Sequence, residues 1–201
     1  MAKKIYLGSR SPRRKELLAL TGLVFEVHPL EEIDEEALLS GYRGDVTRRA
    51  EHLAREKGRM ALKLGLPGVF ITADTLVIAD DGTVLGKPRE AGEAAVFLDR
   101  LAGNWHTVAT GVALTETGSP GSAEGRIDSV LATTRVKFAP MTQQEIEAYI
   151  ATGEPFDKAG GYGIQGRASI YIERIDGCYF NVVGFPLHAF WELWKRFTSE
   201  L

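Results

Sequence analysis

Two arginines stand at the start of an expected helix in SRSPRRKELL, residues 9–18. Ser11 is a residue type that caps helix N-termini and Pro12 suits the first helical position, so Arg13 and Arg14 fall in the first turn. A helix N-terminus carries partial positive charge, which makes cations unfavourable there unless they share an anion. A run of charges is usually a solvated face. The cap lowers the odds of that interpretation and favours a bound anion.

A carboxylate and a lysine form a second pair of candidates. Asp74 lies within FITADTLVIA, residues 70–79, an apolar strand in which an ionised acid needs partners. Spacing alone leaves open whether this acid is structural or functional. Strand alternation places Asp74 and Thr75 on opposite faces. Lys87 stands between a glycine and a proline that would hold its ammonium in place, and an exposed loop lysine is the alternative.

The stretch AGGYGIQG, residues 159–166, is dense in glycine. Glycines allow positive φ and let a ligand approach the backbone. Tyr162 offers a ring that can stack, and Gln165 an amide that both donates and accepts, so both suit a nucleobase. Neither dinucleotide-binding nor P-loop spacing is present.

The acidic stretch EEIDEE, residues 31–36, offers oxygen ligands for a divalent cation. Such a cation commonly takes one or two carboxylates together with substrate phosphates, although a solvated acidic loop is the alternative. The histidines at 28, 52, 106 and 188 lack the spacing of metal ligands. Together the candidates suit a polyphosphate with a base attached: cations, including Lys57 and Lys87, hold phosphates and a metal-linked carboxylate activates water.

These residues must be positioned by alternating strands and helices, followed by hairpins. The pattern predicts a mixed α/β fold, a mixed sheet with flanking helices. We expect strands at 4–8, 24–29, 106–115, 127–138, 169–175 and 179–184, and a hairpin over 67–88 that turns at 80–82. We expect helices at 11–21, 46–64, 89–103, from Thr142 to Gly153 with a capping box at Glu145, and from Pro186 onward.

Composition excludes several classes of protein. The 201 residues suit one domain, and 44% hydrophobic with 25% charged residues is ordinary for a globular protein. A net charge of −3 argues against general nucleic-acid binding. No apolar run is long enough for a bilayer and the N-terminus is unlike a secretory signal, which predicts a cytoplasmic protein with no membrane partner. The single cysteine, Cys178, excludes an internal disulfide.

Several motifs, in this order, resemble the Maf proteins, which are nucleoside triphosphate pyrophosphatases sometimes named for septum formation. The motifs are SRSPRRKELL, LAREK at 53–57, ADT at 73–75, GKP at 86–88, KAGGYGIQG at 158–166 and VVGFPL at 182–187. The resemblance runs from about residue 4 to 195, nearly the whole chain. Thr75 in ADT and the YGIQG sequence make it most similar to the branch that hydrolyses dTTP and UTP. Arg10 departs from the small residue that is usual between the two serines.

The resemblance implies a single domain over residues 1–201, an elongated mixed α/β sheet with a central cleft, similar to the ITP pyrophosphatases, and often a homodimer. It implies water attack that splits the bond between the α and β phosphates, with Mg²⁺ or another divalent metal cation such as Mn²⁺. Carried over by motif, Asp74 is the general base or metal-linked carboxylate, and Glu35 binds the metal. The implied phosphate-binding residues are Ser9, Arg13, Arg14, Lys57 and Lys87, and the residues implied to set base preference are Arg13, Thr75 and Gln165.

Two alternatives remain at this point. The same chemistry could act on CTP, 7-methyl-GTP or a damaged nucleotide. A different class is a regulator of septum formation that binds a nucleotide without turnover. A panel of nucleotides with product analysis separates all of these.

Overall fold

The computed structural model describes residues 3–30, 34–118 and 125–199, without the side chains of residues 35 and 36. The strands are β1 (Ile5–Leu7), β2 (Glu26–Val27), β3 (Gly68–Ala79), β4 (Val84–Leu85), β5 (Trp105–Thr117), β6 (Ile127–Phe138) and β7 (Ile172–Asp176). The helices are α1 (Pro12–Ala19), α2 (Glu35–Leu39), α3 (Arg48–Leu62), α4 (Ala91–Leu101), α5 (Gln143–Ile150), α6 (Tyr179–Val183) and α7 (Leu187–Ser199). Short 3-10 turns span Glu154–Asp157, Ala159–Gly161 and Arg167–Tyr171.

In the part of the chain that the structure describes, seven strands form a sheet in the order β2-β1-β3-β5-β6-β7, and β4 pairs with β3. Strand β1 runs parallel to β2 and to β3, with Leu7 opposite Ile71. Strands β3 and β4 are antiparallel, and so are β6 and β7. The prediction of a mixed α/β sheet with flanking helices is therefore confirmed.

The chain divides into two compact units. The first unit comprises residues 1–74, 110–132 and 184–201, and the second comprises 75–109 and 133–183. The boundary falls inside β3, directly after Asp74. The prediction of one domain over residues 1–201 stays a prediction. No helix within the described ranges has both the length and the apolar character that crossing a bilayer requires.

Each unit has its own buried apolar residues. In the first unit, Tyr6 and Phe70 stack with ring centroids 4.7 Å apart, and the Arg126 guanidinium lies 4.7 Å from the centre of the Phe197 ring. In the second unit, buried residues of β3, α4, β5, β6 and α5 form one cluster. Phe138, fully buried, lies in that cluster.

Local signals in the sequence account for several of the boundaries. The Ser11 side chain accepts a hydrogen bond from the Arg14 amide, and Pro12 opens α1 as expected. Thr142 and Glu145 form the predicted capping box at the start of α5. The turn between β3 and β4 has Gly82 at φ 85°, a conformation that glycine adopts without strain. These predictions are confirmed. Residue type and spacing were sufficient here, because the hydrogen bonds of each cap or turn join residues that are close in sequence.

Four expectations about secondary structure differ from the structure. The expected strand at 179–184 is wrong, because residues 179–183 form α6, where the amides of Asn181 and Val182 bond to the Cys178 carbonyl. The fully buried Asn181 amide nitrogen also donates to the carbonyl of Val108 and the hydroxyl of Thr134, both at 2.9 Å. The strand expected at 24–29 is limited to β2. Of the strand expected at 169–175, residues 169–171 belong to the 3-10 turn Arg167–Tyr171, so only residues 172–175 lie in β7. Helix α2 was not expected, and residues 119–124, between β5 and β6, lie outside the described residues.

Helix α3 lies in direct contact with the backbone of β5. A Cβ added to Gly111 would lie 2.3 Å from the Glu51 Cα and 2.4 Å from the Ala50 carbonyl oxygen. One added to Gly58 would lie 2.3 Å from the Thr115 hydroxyl. Glycine at these two positions therefore permits a close approach at two points along α3, around Ala50 and at Gly58. The helix is packed against β5 at both points.

We expect Gly111→Ala to lower the free energy of unfolding by about 3 kcal/mol, because its methyl group must displace the backbone of α3. Urea denaturation followed by tryptophan fluorescence measures the change. Gly92→Ala is the matched control, since a Cβ there meets only the Glu90 carboxylate at 3.8 Å. Within α4 that change should be neutral or stabilising by up to about 1 kcal/mol. Equal effects of the two substitutions would contradict the close packing.

Candidate functional site

The N-terminal turn of α1 is tied to two other segments of the first unit through Arg14. Its Nε donates to the Gly184 carbonyl at 3.0 Å, and its Nη1 donates to the Ala73 carbonyl at 2.8 Å. The same Nη1 lies 3.5 Å from the Ser9 hydroxyl, which also accepts from the Ser11 amide at 3.2 Å. Arg14 therefore fixes the backbone immediately before Asp74, a role that the sequence analysis did not foresee.

A buried ion pair lies at the centre of the candidate site. The Lys57 ammonium on α3 donates to Asp74 Oδ1 on β3 at 2.5 Å. The side chains are only 15% and 9% exposed. Removing both charges from water is costly, and apolar residues of similar volume would often be as stable. The pair is thus weak evidence for a stability role and fits an acid kept for chemistry.

The remaining sequence candidates of the first unit are placed as follows. Arg13 is half-buried in the first turn of α1, directly before Arg14. Ser9 is 9% exposed, between β1 and α1. Glu35 begins α2, but its side chain lies outside the described residues, as does the whole of Glu32. The structure thus brings Ser9 to Arg14 and Lys57 to Asp74, and the metal-binding role of Glu35 stays a prediction.

A divalent cation is the group that the family resemblance implies for this site. Among the described side chains, which do not include those of residues 35 and 36, no three of histidine, cysteine, aspartate or glutamate gather at a metal-binding distance. The donor chemistry nevertheless fits a cation that shares its ligands with a bound polyphosphate, because one or two carboxylates then suffice. Asp74 is such a carboxylate, buried to 6% exposure.

The other candidates lie in the second unit, where two loops are joined. The Gly160 amide donates to the Gly86 carbonyl at 2.8 Å, which connects the glycine-rich loop to the segment that carries Lys87. Lys87 and Gln165 are exposed, and Thr75 is half-buried in β3. The two exposed side chains are therefore presented by loops with a fixed backbone connection.

Tyr162 has a different role from the one expected. Its side chain is only 5% exposed, and its ring packs edge to face on Phe138 at 4.8 Å and on His106 at 5.3 Å. Its hydroxyl lies 2.7 Å from His106 Nε2. The prediction that this ring stacks on a base is wrong, because the residue anchors the glycine-rich loop in the core instead. Alternation of glycine and tyrosine in sequence cannot distinguish these two uses.

Sequence analysis also missed Glu154, whose carboxylate contacts the backbone of the same loop. It accepts from the Arg167 amide at 2.9 Å and from the Tyr149 hydroxyl at 3.0 Å. A glutamate between a glycine and a proline carries no recognisable signal of its own. The one available hint is the absence of a side chain at Gly166, which leaves room for that carboxylate.

Fold and site together define a mixed α/β protein with a buried carboxylate beside a lysine and an arginine-bearing helix start. Its fold is that of a solved HAM1 protein from Coxiella burnetii, which aligns with a TM-score of 0.51 at 13% identity over 100% of both chains. That likeness concerns the fold alone.

The chain belongs to the family described as Maf-like protein, whose model matches residues 4–197. It is 48% identical over 200 residues to a dTTP/UTP pyrophosphatase of Moorella thermoacetica, covering 98% of this chain and 97% of the relative. It is 45% identical over 184 residues to a dTTP/UTP pyrophosphatase of Carboxydothermus hydrogenoformans, covering 92% and 93% respectively. The resemblance seen in the motifs is confirmed.

The buried histidine of the second unit predicts a pH dependence of stability. Burial lowers the pKa of His106 from 6.5 to about 4, so the imidazole is neutral in the folded protein at neutral pH. The unfolded chain takes up this proton first as the pH falls, so its contribution to stability is full above about pH 6.5 and is lost toward pH 4. We expect the stability advantage of the wild type over His106→Gln to shrink by about 3 kcal/mol across that window.

Urea denaturation at a series of pH values between 7 and 4 measures this difference. His188→Gln, at an exposed position in α7, is the matched control and should follow the wild type. A constant difference between wild type and His106→Gln would show that the buried imidazole does not titrate in this way.

Proposed function

We propose that this protein hydrolyses dTTP and UTP to the nucleoside monophosphate and pyrophosphate, with a divalent metal cation. The observation that carries the proposal is the buried contact between Lys57 and Asp74 at 2.5 Å. Asp74 directly follows Ala73, whose carbonyl accepts a hydrogen bond from Arg14. Such a site combines an ionised acid with cations that suit phosphates. The names of relatives at 40–48% identity support the choice of pyrimidine triphosphates.

The phosphate chain of the substrate is held by cationic and hydroxyl side chains. Arginine presents a rigid fork that matches phosphate oxygens, whereas lysine acts as a point charge. Charge on the phosphates grows as the leaving group departs, and fixed cations stabilise it without reorganising. The residues in this role are Ser9, Arg13, Arg14, Lys57 and Lys87.

Asp74 is the general base of the reaction. Its carboxylate takes a proton from water while the water oxygen forms a bond to the α phosphorus. The bond from the α phosphorus to the bridging oxygen breaks, and pyrophosphate leaves with that electron pair. The Lys57 ammonium keeps the carboxylate ionised and oriented before the reaction, which supports this assignment. The second product is the nucleoside monophosphate.

A divalent cation, Mg²⁺ or Mn²⁺, would be held by Asp74 and Glu35 together with substrate oxygens. When bound it supplies Lewis-acid polarisation of the phosphate oxygens. Base preference is assigned to Arg13, Thr75 and Gln165. A cytoplasmic location, argued from the sequence, and a homodimer, implied by the family resemblance, complete the proposal.

We expect Asp74→Asn to lower the rate of pyrophosphate release from UTP and dTTP by at least about 100-fold, because the amide cannot accept the proton. Nucleotide binding should remain. Chromatography of products from a panel of triphosphates, with Mg²⁺ or Mn²⁺ present, measures both substrate choice and product. Asp99→Asn, an exposed carboxylate on α4, is the matched control and should keep full activity.

The same panel separates the alternatives. Faster release from CTP, 7-methyl-GTP or a damaged nucleotide than from UTP would reassign the substrate. Tight binding with no product over hours would favour a nucleotide-binding regulator of septum formation. Undiminished activity of Asp74→Asn would remove the proposed base.

We expect Gln165→Glu to lower the preference for UTP over CTP by about tenfold. A carboxylate can accept from the uracil N3–H but cannot donate to the uracil O4, whereas cytosine offers an amino donor at that position. The ratio of kcat/KM for the two nucleotides measures the change. Gln144→Glu, exposed on α5, is the control; a ratio unchanged by Gln165→Glu would remove the residue from base recognition.

A further inference from the structure

Gln165 lies in a tight turn whose backbone is closed on itself. The Gly166 amide donates to the Gly163 carbonyl at 3.0 Å, and the Ser169 amide donates to the Gly166 carbonyl at 3.1 Å. Gln165 itself is exposed. Such a turn presents one polar side chain outward, and the angle of that side chain depends on what holds the turn.

The carboxylate of Glu154 holds this turn at its C-terminal end. One oxygen accepts from the Arg167 amide at 2.9 Å. A Cβ added to Gly166 would lie 2.0 Å from the Glu154 carboxylate, so the backbone next to Gln165 passes directly against it. The carboxylate itself is oriented by the Tyr149 hydroxyl at 3.0 Å. Burial, and next the bond to this carboxylate, raise the pKa of Tyr149, so the phenol stays a donor.

The N-terminal end of the turn is contacted by Lys158, the residue that follows the same short 3-10 segment. The Lys158 ammonium donates to the Glu154 carbonyl at 2.8 Å and to the Asp157 carboxylate at 2.5 Å. Its stem lies where a side chain at Gly163 would be, 2.7 Å from an added Cβ. Residues 154–158 therefore contact both ends of the turn that carries Gln165.

We propose that Glu154 is a positioning residue for base discrimination, because its carboxylate holds the backbone that aims Gln165. This inference rests on the proposed function of the site and deepens it. Glu154 makes no contact with the substrate in this scheme. It acts through the Arg167 amide and the backbone at Gly166.

The chemistry of the two pyrimidines explains why such positioning matters. Uracil presents an acceptor at O4 beside a donor at N3, and cytosine presents the opposite pair. A primary amide carries an acceptor and donors side by side, so it can accept from the uracil N3–H and donate to O4 at the same time. That pairing requires the amide to reach both atoms, and the turn that carries Gln165 sets this reach. Releasing the turn withdraws the amide, so the contribution of Gln165 to the preference for UTP falls.

Glu154→Ala tests the inference. We expect KM for UTP to rise and the preference for UTP over CTP, measured as the ratio of kcat/KM, to fall by about tenfold. The kcat for UTP should stay within about threefold, because Asp74 and Lys57 belong to the other unit. Glu154→Gln should restore most of the preference, since its amide oxygen accepts from the Arg167 amide while its amide nitrogen donates to Tyr149.

Glu147→Ala is the matched control, because it removes an exposed carboxylate from neighbouring α5 without touching the turn. Should Glu154→Ala not fold, Tyr149→Phe removes only the hydroxyl that orients the carboxylate and should shift the preference in the same direction. Dissociation constants for UTP and CTP, measured in EDTA, give the same comparison without turnover.

An equal loss of kcat for both nucleotides with an unchanged ratio would indicate a structural role only and overturn the inference. So would an unchanged ratio of dissociation constants. A wild-type protein that releases no pyrophosphate from any triphosphate would overturn the proposed function instead, and the dissociation constants would still test Glu154.

Discussion

The structure of the candidate site depends on keeping one carboxylate charged inside a mostly apolar strand. Asp74 is only 6% exposed, and an ionised acid at such a position is unfavourable without a close opposite charge. Lys57 supplies that charge from α3. Because water screens the pair poorly, its geometry has to be supplied by the elements that carry it. The packing of α3 and the backbone around Ala73 are therefore part of the site.

Two kinds of contact supply this geometry in the first unit. Glycines in β5 and α3 let the helix approach the sheet at backbone distance, and the Thr72 hydroxyl donates to the Ala54 carbonyl at 2.7 Å. The Arg14 guanidinium then joins α1 to the Ala73 carbonyl in β3 and to the Gly184 carbonyl before α7. An arginine suits this role because its donors diverge in a rigid plane. The cations at the start of α1 thus serve the protein's own carbonyls as well as an expected ligand.

In the second unit, too, contacts with neighbouring residues hold the backbone that carries the candidate side chains. Gln165 and Lys87 lie on two different loops. A hydrogen bond from the Gly160 amide to the Gly86 carbonyl joins these loops. Tyr162 anchors the glycine-rich loop by burial, and Glu154 holds the turn beside Gln165. A glycine-rich loop is often interpreted as a flexible loop that binds a ligand through its backbone. Here its glycines leave room for neighbouring side chains that fix it.

The sequence by itself determined the elements whose stabilising bonds are local. The cap of α1 at Ser11, the capping box of α5 and the turn at Gly82 each join residues a few positions apart, so residue type and spacing sufficed. The alternation of strand and helix patterns likewise predicted the mixed sheet, and the apolar strand around it marked Asp74 as a candidate. Only the tertiary structure decided what those residues touch: Arg14 bonds to a carbonyl 170 positions away, and Lys57 reaches an acid on another element. It also turned the stretch at 179–183 into α6 and buried Tyr162, because their partners come from distant strands that no local pattern can specify.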